Sequence, residues 1–143
     1  MKKLSIDRAI NALMSGRYHK GRNRLETEKG NNCCLGVFAH EMGVEFSGPK
    51  KNRVVFLQSH DHAGPGSSTM LPSEIVDYAP WIRDVQAVDI PQEYRYKLST
   101  YQQTSGGQSI LAALNDGTRQ GFVPIVETLQ NTKKRLRREK SKK

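Results

Sequence analysis

Asn31-Asn32-Cys33-Cys34-Leu35-Gly36-Val37-Phe38-Ala39-His40-Glu41-Met42-Gly43 is the densest apolar run of the chain and holds its only two cysteines. Leu35, Phe38, Ala39 and Met42 recur at helical spacing, Asn32 is placed to cap the first turn, and Gly43 supplies the left-handed residue that ends a helix. The stretch predicts a short helix buried on most sides, and the other elements have to assemble around it. Adjacent cysteines in one helix cannot easily bridge each other, so no disulfide framework is expected and a reducing compartment fits.

On the N-terminal side, Ser5 is placed as a cap and Asp7 favours a first turn. Ile6, Ala9, Ile10, Leu13 and Met14 share one side of a helix that stops at Gly16. Residues 18–27 are polar and basic around Gly21 and a lone Leu25, which predicts a short edge strand before the turn at Lys29-Gly30. On the C-terminal side, Val44-Glu45-Phe46 and Arg53-Val54-Val55-Phe56-Leu57 flank Gly48-Pro49-Lys50-Lys51-Asn52 and predict a hairpin. Residues 59–69 are turn formers without periodicity, a surface loop.

Pro72 then opens a short helix with Ile75 and Val76 inward, Pro80 ends it, and Trp81 and Ile82 plug the core. Residues 85–90 predict a strand. Pro91 starts a helix that sets Tyr94, Leu98 and Tyr101 on one side and closes at Gly106-Gly107. Ser109 is placed to cap residues 110–115, Asp116-Gly117 breaks that helix, and a last one begins near Phe122 with Ile125, Val126 and Leu129 facing the core. Beyond Asn131 the apolar stripe disappears; Leu136 alone cannot anchor the C-terminal residues, which predicts a frayed, solvated helix or coil.

The expected fold is α+β: a small single domain over residues 1–131, with a central buried helix, flanking helices and a short antiparallel sheet, followed by a basic tail over 132–143. A chain of 143 residues is long enough for one modest core. No window approaches the roughly 18 apolar residues of a membrane span. Met1-Lys2-Lys3-Leu4 leads into Ser5, Asp7 and Arg8 rather than the apolar region of a signal peptide, so a cytoplasmic setting is expected.

Charge is concentrated at one end. Of the net +9, residues 133–143 carry +7 through Lys133, Lys134, Arg135, Arg137, Arg138, Lys140, Lys142 and Lys143 against Glu139, leaving +2 for the other 132 residues. A polyanion responds to such a run by releasing counterions; with about five phosphate contacts, log K is expected to fall with log salt at a slope of about −4 to −5. No aromatic residue or Asn is interleaved to stack on or pair with bases, so the expected contact is with the phosphate backbone of DNA or RNA, without sequence readout. The rival readings of the same run are a solubilising end and a contact with an acidic protein or lipid surface.

Other candidates for chemistry are weighed against plain packing. A Cys at a helix N-terminus is where the macrodipole lowers a thiol pKa, but a nucleophile needs a base within about 3 Å. His40 stands seven residues after Cys33, about 10 Å along the helix, so the base would have to be His19, His60 or His62; a small buried hydrophobe is the simpler role for both thiols. Cys33 with His60 and His62, assisted by Asp61, is an imaginable metal set, yet adjacent cysteines diverge and His-Asp-His fits loop composition, so no metal or cofactor is expected. Glu74, Asp77 and Asp84 form no paired-carboxylate signature. Gly106, Gly107 and Ser109 lead into a helix N-terminus and form a possible anion site, without the Lys of a P-loop. Residues 109–130 have the outline of a helix-turn-helix, but the second helix gives Phe122, Ile125, Val126 and Leu129 to the core.

Cys33-Cys34-Leu35-Gly36-Val37, Leu71-Pro72 opening a short helix, and Leu111-Ala112-Ala113-Leu114-Asn115-Asp116 followed by a Gly and Phe122 together resemble a widespread set of small proteins encoded by tailed bacteriophages and prophages. The resemblance covers residues 5 to about 130. In that family a Ser-Phe pair and an Ile-Ala step usually come next; here Gly121-Phe122 and Ile125-Val126 stand after a slightly longer turn, which implies a weaker cap. The resemblance implies a phage-type origin and a compact mixed fold, and brings no activity and no basic end; with that origin, the cytoplasm expected from the N-terminal residues is a host cell's. The expected function is therefore a non-catalytic phage-type accessory protein whose tail contacts nucleic acid. The rivals are an anti-defence protein that binds a host protein or sequesters a small nucleotide, and a cysteine hydrolase.

Overall fold

The central run folds as helix α2 (Cys34–Glu41), in which Cys34, Leu35, Val37, Phe38 and Ala39 are all fully buried. A helix apolar on every side is stable only when neighbours cover it completely. In this computed structural model, which describes residues 1–55 and 67–142, those neighbours are α1 (Ile6–Met14) and α7 (Gly107–Gly117). The last helix, α8 (Val123–Ser141), packs across both α1 and α7. Between α2 and α7 the chain makes β1 (Phe46–Ser47) and β2 (Val54–Val55), then four short helices: α3 (Ser73–Val76), α4 (Trp81–Asp84), α5 (Gln92–Arg95) and α6 (Thr100–Thr104). The strands pair antiparallel, Phe46 opposite Val55 and Ser47 opposite Val54. The fold is α+β.

Ser5 caps α1 as its sequence position demands, its hydroxyl accepting from the Arg8 amide at 3.1 Å. Gly43 ends α2 at φ +78°, a conformation that costs a side-chain-bearing residue about 1 kcal/mol or more. Trp81 packs edge-on against Phe38 with ring centroids 5.3 Å apart, and its indole N–H donates to the Leu4 carbonyl at 2.7 Å. One side chain thereby closes the core and fastens the N-terminal segment.

Several expectations fail for identifiable reasons. Residues 18–27 make no strand: Asn23 takes φ +67°, and only isolated bridges to Asn32 form, from Lys20 and from Glu26. Residues 85–90 also make no strand but a single 3-10 turn (Ala87–Asp89), because the Asp89 carboxylate turns back to accept from the Gln86 amide at 2.9 Å. The helix opened by Pro91 breaks in two. Ser99 and Gln102 form a capping box that starts α6 afresh, so Tyr94 and Leu98 are buried while Tyr101 is 81% exposed. Phe56, Leu57 and residues 59–66, including His60, Asp61 and His62, lie outside the described residues, so the far end of the hairpin and most of the loop expected after it do too.

The motif residues meet at one junction. Asn32 does not cap α2, and Ser109 lies inside α7 rather than at its cap. Asn32 donates instead to the Leu25 carbonyl at 2.9 Å, and a Cβ on Gly36 would stand 1.8 Å from that same oxygen, so Gly36 is the residue that lets the chain at Leu25 lie on α2. The first turn of α2 is capped from far along the chain: the Cys34 amide donates to Asn115 Oδ1 at 3.1 Å, and Asn115 Nδ2 donates to the Gly21 carbonyl at 2.9 Å. Asp116 Oδ1 accepts from the Asn23 amide at 3.0 Å. Asn115 is fully buried, so the orphan Cys34 amide finds its partner where water cannot reach. The Cys-Cys-Leu-Gly-Val and Leu-Asn-Asp motifs are thus one structural joint.

Candidate nucleic-acid interface

The basic tail is the outer half of α8, and it is helical to Ser141. Ile125, Val126, Thr128, Leu129 and Thr132 turn into the body, with Thr128 Oγ1 on the Pro124 carbonyl at 2.8 Å and Thr132 Oγ1 on Asp89 Oδ2 at 2.8 Å. One turn on, Arg135 replaces the missing apolar anchor. Its guanidinium donates to both Asp89 oxygens, at 2.8 Å and 3.0 Å, and also to the Asp84 carbonyl. Glu139 receives a further hydrogen bond from it at 3.0 Å. A bidentate fork on a carboxylate only 2% exposed is among the stronger polar contacts a protein makes. Burial pushes the Asp89 carboxyl up, but the hydrogen bonds from Arg135, the Gln86 amide and Thr132 outweigh it and hold the group below its usual value. The same pairing raises Arg135.

This anchor sorts the tail cations into two sets. Arg135 is committed to the body, and Lys133 pairs with Asp7 on α1. Both are paired with acids of the body, so the eight cations are not equivalent. Lys134, Arg137, Arg138, Lys140 and Lys142 are exposed; Lys143 lies outside the described residues. On the flank where Lys134 and Arg137 face α1, an open cleft of about 390 Å³ also takes in Asp7, Ile10 and Gln130. The outward set carries positive charge into solvent, and the last-turn cations stand where the helix dipole favours them, by about 0.3–1 kcal/mol each.

The other candidate sites resolve differently. Cys33 and Cys34 are buried; burial pushes the Cys33 thiol up to about 11 and raises Cys34 as well. Cys34 Sγ lies 3.7 Å from the Leu111 carbonyl, a weak contact of a packed thiol. His40 is turned toward Glu26 at 2.9 Å, between the rings of Phe46 and Tyr18 with centroids 4.3 Å and 6.0 Å away. Gly106, Gly107 and Ser109 border a shallow cavity of about 360 Å³ together with Ser73 and Arg83. Arg83 is already engaged, by Asp77 at 2.8 Å and the Ser73 carbonyl at 2.9 Å. Gly107 is required by packing: a Cβ there would stand 1.9 Å from the Ile82 carbonyl. Phe122, Ile125, Val126 and Leu129 are buried, so the inner face of α8 belongs to the core. No helix among the described residues is long and apolar enough to cross a membrane.

The sequence does not reveal Asp89 and Asp7 as the partners that divide the tail, because each lies more than 40 residues from its cation. The one local signal is Thr128 and Thr132, which prolong the inward face of α8 with polar residues past the point where the apolar stripe stops.

The arrangement is that of a small helical domain joined through one buried polar junction, with a cationic helix end. The chain belongs to the family described as a domain of unknown function, DUF8296, whose model matches residues 1–133. The match includes the whole junction and ends one residue before the first outward cation. Comparison with curated proteins and with solved structures finds no match.

Proposed function

We propose that the protein acts by binding rather than by catalysis, and that the outward cations of α8 hold it on nucleic acid through phosphates without reading base sequence. The observation that carries this is the sorting of the tail. The only acid in residues 133–143 is tied to Arg135, Lys133 pairs with Asp7, and the other described cations are exposed with no acid among the described residues paired to them. The buried, proton-holding thiols support a binding role over a cysteine hydrolase, since only a thiolate attacks. The likeness of the junction residues to small tailed-phage proteins supports placing this role in an accessory factor working in a host cytoplasm.

The sequestration alternative has one observation in its favour, the cavity beside Gly106, Gly107 and Ser109 at the start of α7. An intact chain and a variant carrying Gln at 134, 137, 138, 140 and 142 should be titrated against labelled DNA and RNA. The intact chain is expected to bind with affinity falling steeply in salt, and the variant to lose that binding while keeping its melting temperature. Equal binding by the two would remove the tail from the function and give priority to the α7 cavity or a host-protein partner.

A further inference from the structure

Resting on that reading, we propose that the outer half of α8 is a rigid docking edge for the phosphate backbone of a duplex, made by Lys134, Arg137 and Arg138. At about 100° per residue these three fall on one side of the helix, as i, i+3 and i+4. That side is opposite the one on which Ile125, Leu129 and Thr132 enter the body. A duplex laid along the edge therefore borders the rest of the domain on one flank alone, where Asp7 and Ile10 of α1 share a cleft with Lys134 and Arg137. Glu139 points away from the edge, held on Arg135 at 3.0 Å, so the edge is purely cationic; Glu127, two turns upstream, limits it to the last turns.

Three features favour duplex over single strand. First, the edge is held in place by Asp89–Arg135 rather than free to wrap. A rigid cation row gains most from a partner that is itself rigid and densely charged; a duplex carries one phosphate per about 1.7 Å of axis. Second, the edge carries no aromatic side chain, whereas single-strand binders draw much of their affinity from bases stacked on aromatics. Third, Lys140 stands about a third of a turn off the edge, within reach of a strand that curls round the helix and out of line for a straight duplex. Lys134 with Arg138 is also a like-charge i, i+4 pair, a repulsion that phosphate relieves.

The test uses the full chain and 20-nucleotide mixed-sequence DNA, single-stranded and as a duplex, with anionic phosphatidylserine vesicles as a third probe. Three contacts give a duplex slope of about −2.7, about a 40-fold loss of affinity between 50 and 200 mM salt. Lys134→Gln, Arg137→Gln and Arg138→Gln should each weaken duplex binding several-fold, and Lys140→Gln less than any of them. Asp89→Asn loosens the helix end while leaving every tail cation in place; it should lower the preference for duplex over single strand, whereas a merely flexible polycation would bind as well or better. Single-strand binding equal to or tighter than duplex binding, an equal loss with Lys140→Gln, or tighter attachment to the vesicles would overturn the duplex edge. No salt-dependent binding to either DNA would overturn the nucleic-acid reading itself.

Discussion

The α2–α7 junction and the end of α8 are both built from polar side chains, turned in opposite directions. At the junction, Asn32 and Asn115 point inward, half-buried Asp116 closes its rim, and each polar atom named there has a protein partner at 2.9–3.1 Å. At the helix end, Lys134, Arg137 and Arg138 point outward with no acid among the described residues paired to them. Inward polar groups are costly to disturb because the low-dielectric interior leaves a stranded donor or acceptor uncompensated. Outward ones add little to stability and are available to a partner. The two regions should therefore respond oppositely to substitution, in stability at the first and in binding at the second.

The largest stability effect is expected for Gly36→Ala. A methyl group 1.8 Å from the Leu25 carbonyl forces the chain off α2, and the variant should lose well over about 3 kcal/mol or fail to fold, read by thermal and denaturant melting. Next comes Asn115→Ala, which strands the buried Cys34 amide and Gly21 carbonyl together; about 2–4 kcal/mol should be lost in urea unfolding. A loss below about 1 kcal/mol would show that the junction is not what joins α2 to α7. Asp89→Asn should cost about 1–3 kcal/mol, since it removes the charge from a pair whose carboxylate is buried. Its effect should show in hydrogen exchange of residues 132–141 before it shows in the melting of the body. The smallest stability change is expected for the triple variant with Gln at 134, 137 and 138, within about 0.5 kcal/mol of the parent, although its duplex affinity should fall furthest.

Acid sharpens the same contrast. The folded state holds the Asp89 carboxyl below its usual value, so its contribution is complete above the unfolded value of about 4 and is lost as pH falls through the folded one. The extra protection from hydrogen exchange that the parent's α8 end has over Asp89→Asn should be constant between pH 5 and 8. Below about pH 4 that difference should shrink until the parent converges on Asp89→Asn.

What the sequence made legible was set by range. The starts and stops written within a few residues, Ser5 before α1 and Gly43 after α2, stand where spacing puts them. The Ser99–Gln102 capping box is equally local, and its two residues are enough to separate Tyr101 from Tyr94 and Leu98. The caps expected from Asn32 and Ser109 fail because the partner of the α2 amide comes from 81 residues away and α7 begins two residues earlier than its serine. The tail posed the same difficulty: counting cations cannot show that Asp7 and Asp89 take two of them. Chemistry carried by one residue type was visible, and its division by distant carboxylates was not.

The paired thiols also give the molecule an internal clock. Cys33 and Cys34 sit behind the Asn115 cap with their protons held by burial, so a thiol-specific dye in native buffer should enter only when α2 parts from α7. The rate of dye uptake therefore times that opening directly, and a phosphate-bearing partner seated on the far end of α8 should leave it unchanged.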